Sequence, residues 1–207
     1  MSASEDFFPA RRIVVFALLA IVGCGVDLWT KHAMFAWRGL PPIWRGEVPT
    51  QREIYPIVEG FLGIETALNQ GALFGMGQGK VWLFATLSFL AIGGIIYWLF
   101  IAKAAKDQFL NFALGIIMGG ILGNLYDRLG LWGGVGPDGN TIYAVRDWIL
   151  ISYGGLEFPY LGRDWPNFNI ADSLLVCGAG LLIWHSFRQP SPEPEASQPP
   201  QIGPTKN

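Results

Sequence analysis

Charge is scarce in this sequence. Asp, Glu, Lys and Arg together make up 14% of 207 residues, against 51% hydrophobic residues, a balance more apolar than that of ordinary soluble domains. The net charge is −2 and there is no Lys/Arg run, so nothing points to nucleic acid as a partner. Histidine is limited to His32 and His185, with no HExxH pattern and no paired cysteine motif; a catalytic zinc or other metal is not expected. There is no GxSxG elbow and no glycine-rich phosphate loop followed by Lys-Ser or Lys-Thr, which removes serine-hydrolase and nucleotide readings. The two cysteines, Cys24 and Cys177, lie inside apolar runs and read as buried free thiols rather than a disulfide.

What is present is apolar length. Four segments are long enough to cross a bilayer, which takes roughly 20 apolar residues: about 13–35, 81–102, 109–126 and 170–187. The third carries Gly115, Gly119 and Gly123 four apart, a small-residue stripe that suits close helix packing. Nine Trp and six Tyr fit interfacial aromatic belts. Residues 1–188 therefore read as one four-span unit. Residues 189–207, PSPEPEASQPP within a polar tail, read as disordered.

An even number of spans puts both termini on one side. Arg11 and Arg12 precede the first span, and Lys103 and Lys106 crowd the turn between the second and third. Dense basic clusters beside span ends favour the cytoplasm, although Arg38, Arg45, Arg52, Arg146 and Arg163 are spread over the opposite loops. The loops at about 37–80 and 128–168 are then extracytoplasmic. The first alternates over 57–67 like a β-hairpin, with Gly60 and Gly63 as turn or bulge points. In the second, a glycine-rich stretch at 130–139 leads into 142–153, which suits either a strand or an interfacial helix. An alternative reading takes Arg11-Arg12, the apolar run and Ile21-Val22-Gly23-Cys24 as a lipoprotein signal cut before Cys24; three further spans make such an anchor redundant.

Carboxylates are the remaining candidates for chemistry. Ionisable groups are costly in hydrocarbon and mark ion paths or reaction sites. Asp27 and Lys31 are four apart on one helical face and can pair. Asn124 and Asp127 share a face, with Arg128 beside them at the helix end. Asn169 is a good N-cap and Asp172 then falls at N3, where a carboxylate suits the helix dipole. Asp147 is an acid in an apolar stretch with Arg146 as a possible partner, and Asp138 sits in a Pro-Asp-Gly turn. Spacing alone does not choose a pair among Asp127, Asp147 and Asp172.

Asp27 with Lys31, NQGALFG at 69–75, GNLYDR at 123–128, VRDWI at 145–149 and FNIADS at 168–173 together resemble the lipoprotein signal peptidase (signal peptidase II) family of bacterial inner membranes. The resemblance runs from about residue 25 to 186. It implies an all-α membrane protein of four transmembrane helices, with a small extracytoplasmic β-cradle from the first loop and an interfacial helix or loop from the second. It further implies an aspartyl endopeptidase that cuts diacylglyceryl-modified prolipoproteins on the amino side of the lipidated cysteine, uses no metal or cofactor, works among membrane lipid and is inhibited by globomycin. Asp147 and Asp172 match the catalytic dyad. Asn69, Gly71, Asn124, Arg128 and Asn169 match residues that line the site and hold the substrate, Asp127 a supporting acid, and Asp27 and Lys31 residues linked to stability. Two features depart from the family pattern: the glycine-rich insert between Leu129 and Arg146, and Arg146 itself, which stands where an aliphatic residue is usual. The rival from another class is a small proton-coupled transporter, since intramembrane Asp and Asn also build ion relays.

Overall fold

Helix length follows the apolar runs. In the computed structural model, which describes residues 10–48, 51–71, 77–102, 107–156 and 164–188, four helices are long and apolar enough to cross a membrane. They are α1 (Ala10–Arg38), α2 (Val81–Ile96, continued by a π turn Tyr97–Ile101), α3 (Gln108–Arg128) and α4 (Ile170–Arg188). Helices α1 and α3 extend two or three residues past the expected span ends, because Arg38 and Arg128 keep helical backbone after the apolar run has stopped. Helix α1 runs unbroken through Cys24. Residues 189–207, Lys103, Lys106 and Arg163 lie outside the described residues.

Helix α3 is the centre of the bundle: 61% of its apolar window is buried, against 17% for α1 and 11% for each of the other two. Glycine makes this possible. A Cβ at Gly115 would stand 3.2 Å from the Phe16 carbonyl oxygen, and one at Gly119 3.1 Å from that of Ala20. At Gly123 it would collide with Asp27 Oδ2 at 2.3 Å. The stripe is thus the packing surface for α1, while Gly120 faces the Ala171 carbonyl oxygen on α4. Phe16, Ala20, Leu99, Leu110, Leu114 and Met118 form the apolar core. The outward faces remain apolar and exposed, as lipid-facing surfaces require, with Trp37 and Trp82 at one end and Trp98 and Trp184 at the other. Both cysteines are free; Cys24 is half-buried and Cys177 exposed, so Cys177 corrects the expectation of a buried thiol. A bundle built around one central helix leaves the far face of α4 open to lipid.

A three-stranded antiparallel sheet lies at the end where α1 and α3 finish and α2 and α4 begin. Its strands are β1 (Tyr55–Val58), β2 (Leu62–Asn69) and β3 (Val145–Ile151), in that order. The first two form the expected hairpin, turning at Gly60 (φ 71°); Gly63 lies within β2, where a Cβ would meet Ile54 Cγ2 at 2.9 Å. Residues 145–151 resolve the strand-or-helix alternative as a strand. Its outer edge is covered by bridges Ile149–Phe168 and Ser152–Asp164. No helix of the second loop occurs among the described residues. Arg52 ties the sheet together through ion pairs to Glu65 and Asp164.

Candidate active site

The first turn of α4 is built by two side chains that cap each other. Asp172 N donates to Asn169 Oδ1 (2.9 Å), and Asn169 N donates to Asp172 Oδ2 (3.2 Å), a reciprocal capping arrangement. The fully buried Asn169 amide nitrogen then donates to Asp147 Oδ1 at 2.7 Å. One asparagine therefore holds both acids.

Asn124 on α3 completes the link. Its Nδ2 donates to Asp172 Oδ1 at 2.8 Å, and its Oδ1 accepts from Lys31 Nζ at 2.8 Å. Ammonium only donates, so Lys31 fixes which way the Asn124 amide faces. Asp147 is 2% exposed, whereas Asp172 is half-buried on the open side. Burial first, and the negative charge of Asp172 second, hold the Asp147 carboxyl well above the usual carboxylate range; Lys31 and hydrogen bonds from Asn169 and Asn69 oppose this. Asn69, at the end of β2, thus reaches Asp147 and also accepts from Gly71 N (2.9 Å). The Gly71 carbonyl accepts from Arg128 Nη2 at 3.3 Å. The Arg128 guanidinium lies over Phe84 (5.7 Å) and its charge interacts with Asp172, Asp147 and Asp127.

Asp27, Lys31 and Asp127 form a second cluster directly behind. Lys31 Nζ is 2.7 Å from Asp27 and 3.2 Å from Asp127, with all three fully buried. Asp27 Oδ1 also accepts from Ala171 N (2.9 Å), at the start of α4. Arg146 is where the sequence misleads. Its guanidinium turns away from Asp147 and binds Asp127 Oδ1 through Nη2 (2.7 Å) and Nε (3.1 Å), while its backbone N donates to Asp127 Oδ2 (2.9 Å). Adjacent strand residues face opposite ways, which was the available signal that Arg146 and Asp147 would not pair. Arg128, adjacent to the Asn124–Asp127 pair, likewise reaches across to the first loop rather than closing its own helix end. Asp138 accepts from the backbone and side chain of Asn140, which lowers its pKa; it is occupied within its own turn. Among the described residues no three His, Cys, Asp or Glu side chains converge as a metal-ligand set.

The sequence profile described as signal peptidase (SPase) II matches residues 19–188. A lipoprotein signal peptidase of Rhodopirellula baltica is 50% identical over 183 residues, covering 87% of this chain and 74% of that one. A lipoprotein signal peptidase of Geobacillus thermodenitrificans is 30% identical, covering 88% and 95%. In structure the chain is similar to a bacterial membrane enzyme solved by the in meso method at 2.3 Å resolution, with TM-score 0.62, 25% identity and coverage of 91% and 94%. A second bacterial membrane enzyme, solved by that method at 1.9 Å, gives TM-score 0.57 at 25% identity.

Proposed function

We infer the chemistry from one premise: this chain belongs to the signal peptidase II family. It is a multi-pass bacterial membrane protein and an aspartic-type protease that removes signal peptides from prolipoproteins. Asp147 and Asp172 are its dyad, and the bond cut is on the amino side of a diacylglyceryl-modified cysteine. The observation that carries this reading is the buried Asn169, whose amide nitrogen donates to the carboxyl of a buried acid, Asp147, while its backbone N–H donates to that of the half-open Asp172.

The two environments divide the labour. Asp147, with its raised pKa, carries the proton; Asp172, receiving N–H donors on both oxygens, is the carboxylate. Asp172 takes a proton from a water molecule as the water oxygen attacks the scissile carbonyl carbon. Asp147 passes its proton to the carbonyl oxygen, giving a neutral tetrahedral diol. On collapse the C–N bond breaks, Asp172 gives its proton to the departing amine of the cysteine, and one diol hydroxyl returns a proton to Asp147. Asn69 and Arg128, on the rim, supply donors for the substrate backbone.

The basic clusters at Arg11–Arg12 and at Lys103 and Lys106 support a cytoplasmic location for both termini and a periplasmic face for the dyad. Cysteines introduced at Gly134 and Ala105, in a background lacking Cys24 and Cys177, should label from outside and only after lysis, respectively. Globomycin should block the enzyme at the dyad. The carrier reading has no support, since the apolar core around Leu114 and Met118 fills the bundle between the site and its far end. The deciding assay is cleavage of a lipidated prolipoprotein by purified protein: Asp147→Asn and Asp172→Asn should each lose at least about 1000-fold in rate while remaining folded. Retained activity in Asp147→Asn, with loss in Asp127→Asn, would move the dyad to Asp127 and Asp172.

A further inference from the structure

We propose that Arg146 is the positioning residue for Asp147, and that the glycine-rich segment between α3 and β3 is the support that holds it. The proposal rests on the dyad reading above. The β2–β3 ladder is irregular where Asp147 sits: the register shifts between Ile64 and Ala67, whose partners are Ile149 and Asp147. Cross-strand pairing alone therefore fixes Asp147 poorly. What fixes it is the residue before it. Both oxygens of the Asp127 carboxylate are used on Arg146, one by its guanidinium and the other by its backbone N–H, so this point of β3 is held to the end of α3 in both position and rotation. Asn169 Nδ2 lies 3.4 Å from the Arg146 carbonyl oxygen, tying the same peptide to α4.

The segment after α3 closes over this clamp. Gly130 (φ 70°) and Gly133 (φ 78°) let the chain turn sharply, and a bridge from Val135 to Thr141 with Ile142 N donating to Gly134 O (2.9 Å) pins it. Trp132 is thereby laid on the Arg146 guanidinium at 5.0 Å and edge-on to Phe35 of α1 at 6.1 Å. The charge balance agrees. With Arg146, the four buried groups Asp27, Asp127, Lys31 and Arg146 sum to zero; without it, one negative charge is left over.

The experiment compares kcat and KM for cleavage of a lipidated prolipoprotein by purified Arg146→Met, Arg146→Lys and Asp127→Ala/Arg146→Met. Arg146→Met should lower kcat about 30-fold with KM within about twofold, because the dyad is misplaced while substrate contacts remain. Arg146→Lys should recover only in part, to a kcat about fivefold below wild type, since a single ammonium reaches Asp127 but lacks the fork. The double variant leaves Asp27 and Lys31 as a neutral pair; it should fold, yet keep the low kcat. A folded Arg146→Met or double variant with wild-type kcat, or one whose loss lies wholly in KM, overturns the proposal. If neither folds, Arg146→Lys decides, and wild-type kcat there overturns it. Activity in Asp147→Asn would instead sink the dyad reading, whatever the Arg146 variants do.

Discussion

Two clusters of acids lie side by side at one end of the bundle, and they are held by different kinds of partner. Asp27 and Asp127 are gripped by the cations Lys31 and Arg146 at 2.7–3.2 Å and are fully buried. Asp147 and Asp172 are gripped by the neutral amides of Asn169 and Asn124. An acid paired closely with a buried cation is committed to its charge, because losing it would strand the partner. An acid held by amides keeps its place whether or not it carries a proton. Lys31 joins the two regimes, neutralising one cluster while fixing the Asn124 amide that serves the other. On the proposed assignment of the dyad, burial alone does not mark an acid as catalytic; the kind of partner does.

Breaking the closed cluster should cost most in stability. Lys31→Met leaves one buried negative charge uncompensated, stranding Asp27 while Asp127 keeps Arg146, and unfolding free energy should fall by about 3–5 kcal/mol, measured by thermal or denaturant unfolding in detergent. Breaking the open cluster should cost less stability and more rate: Asn169→Ala should lose about 100-fold in kcat and about 1–3 kcal/mol of stability, from the missing cap and from the buried partners its amide leaves unsatisfied. Gly123→Ala forces a Cβ against Asp27 and should destabilise by about 1–3 kcal/mol, read from the same unfolding curves.

The spans were legible because four apolar runs have no soluble alternative, and the α4 cap because Asn169 and Asp172 stand three apart. Strand β3 was not: Val145, Arg146, Asp147 and Leu150 are all buried, so the alternation that reveals a half-exposed strand is missing. The juxtaposition of α3, β3 and α4 leaves no local trace either. Spacing therefore left Asp127, Asp147 and Asp172 equivalent, and the Arg146–Asp127 clamp, spanning 19 residues, was invisible. Asp138 supplies the smallest expected effect. Its bonds stay within its own turn, so Asp138→Asn should cleave within about twofold of wild type, a comparison made with the same assay.

The amide-held pair also makes a statement about pH. Asp147 holds its proton in the folded protein well above its ordinary value of 3.8. Its contribution to stability is therefore full below pH 3.8 and is lost as pH rises through the folded value. Asp147→Asn should flatten the dependence of Tm on pH over that window. The central claim, that Asp147 is the proton-carrying member, is tested most directly by infrared difference spectroscopy of wild type against single variants. A protonated-carboxyl band should persist above the ordinary carboxylate range, titrate away at higher pH, and be absent from Asp147→Asn. A band that survives in Asp147→Asn and disappears in Asp172→Asn would contradict the account.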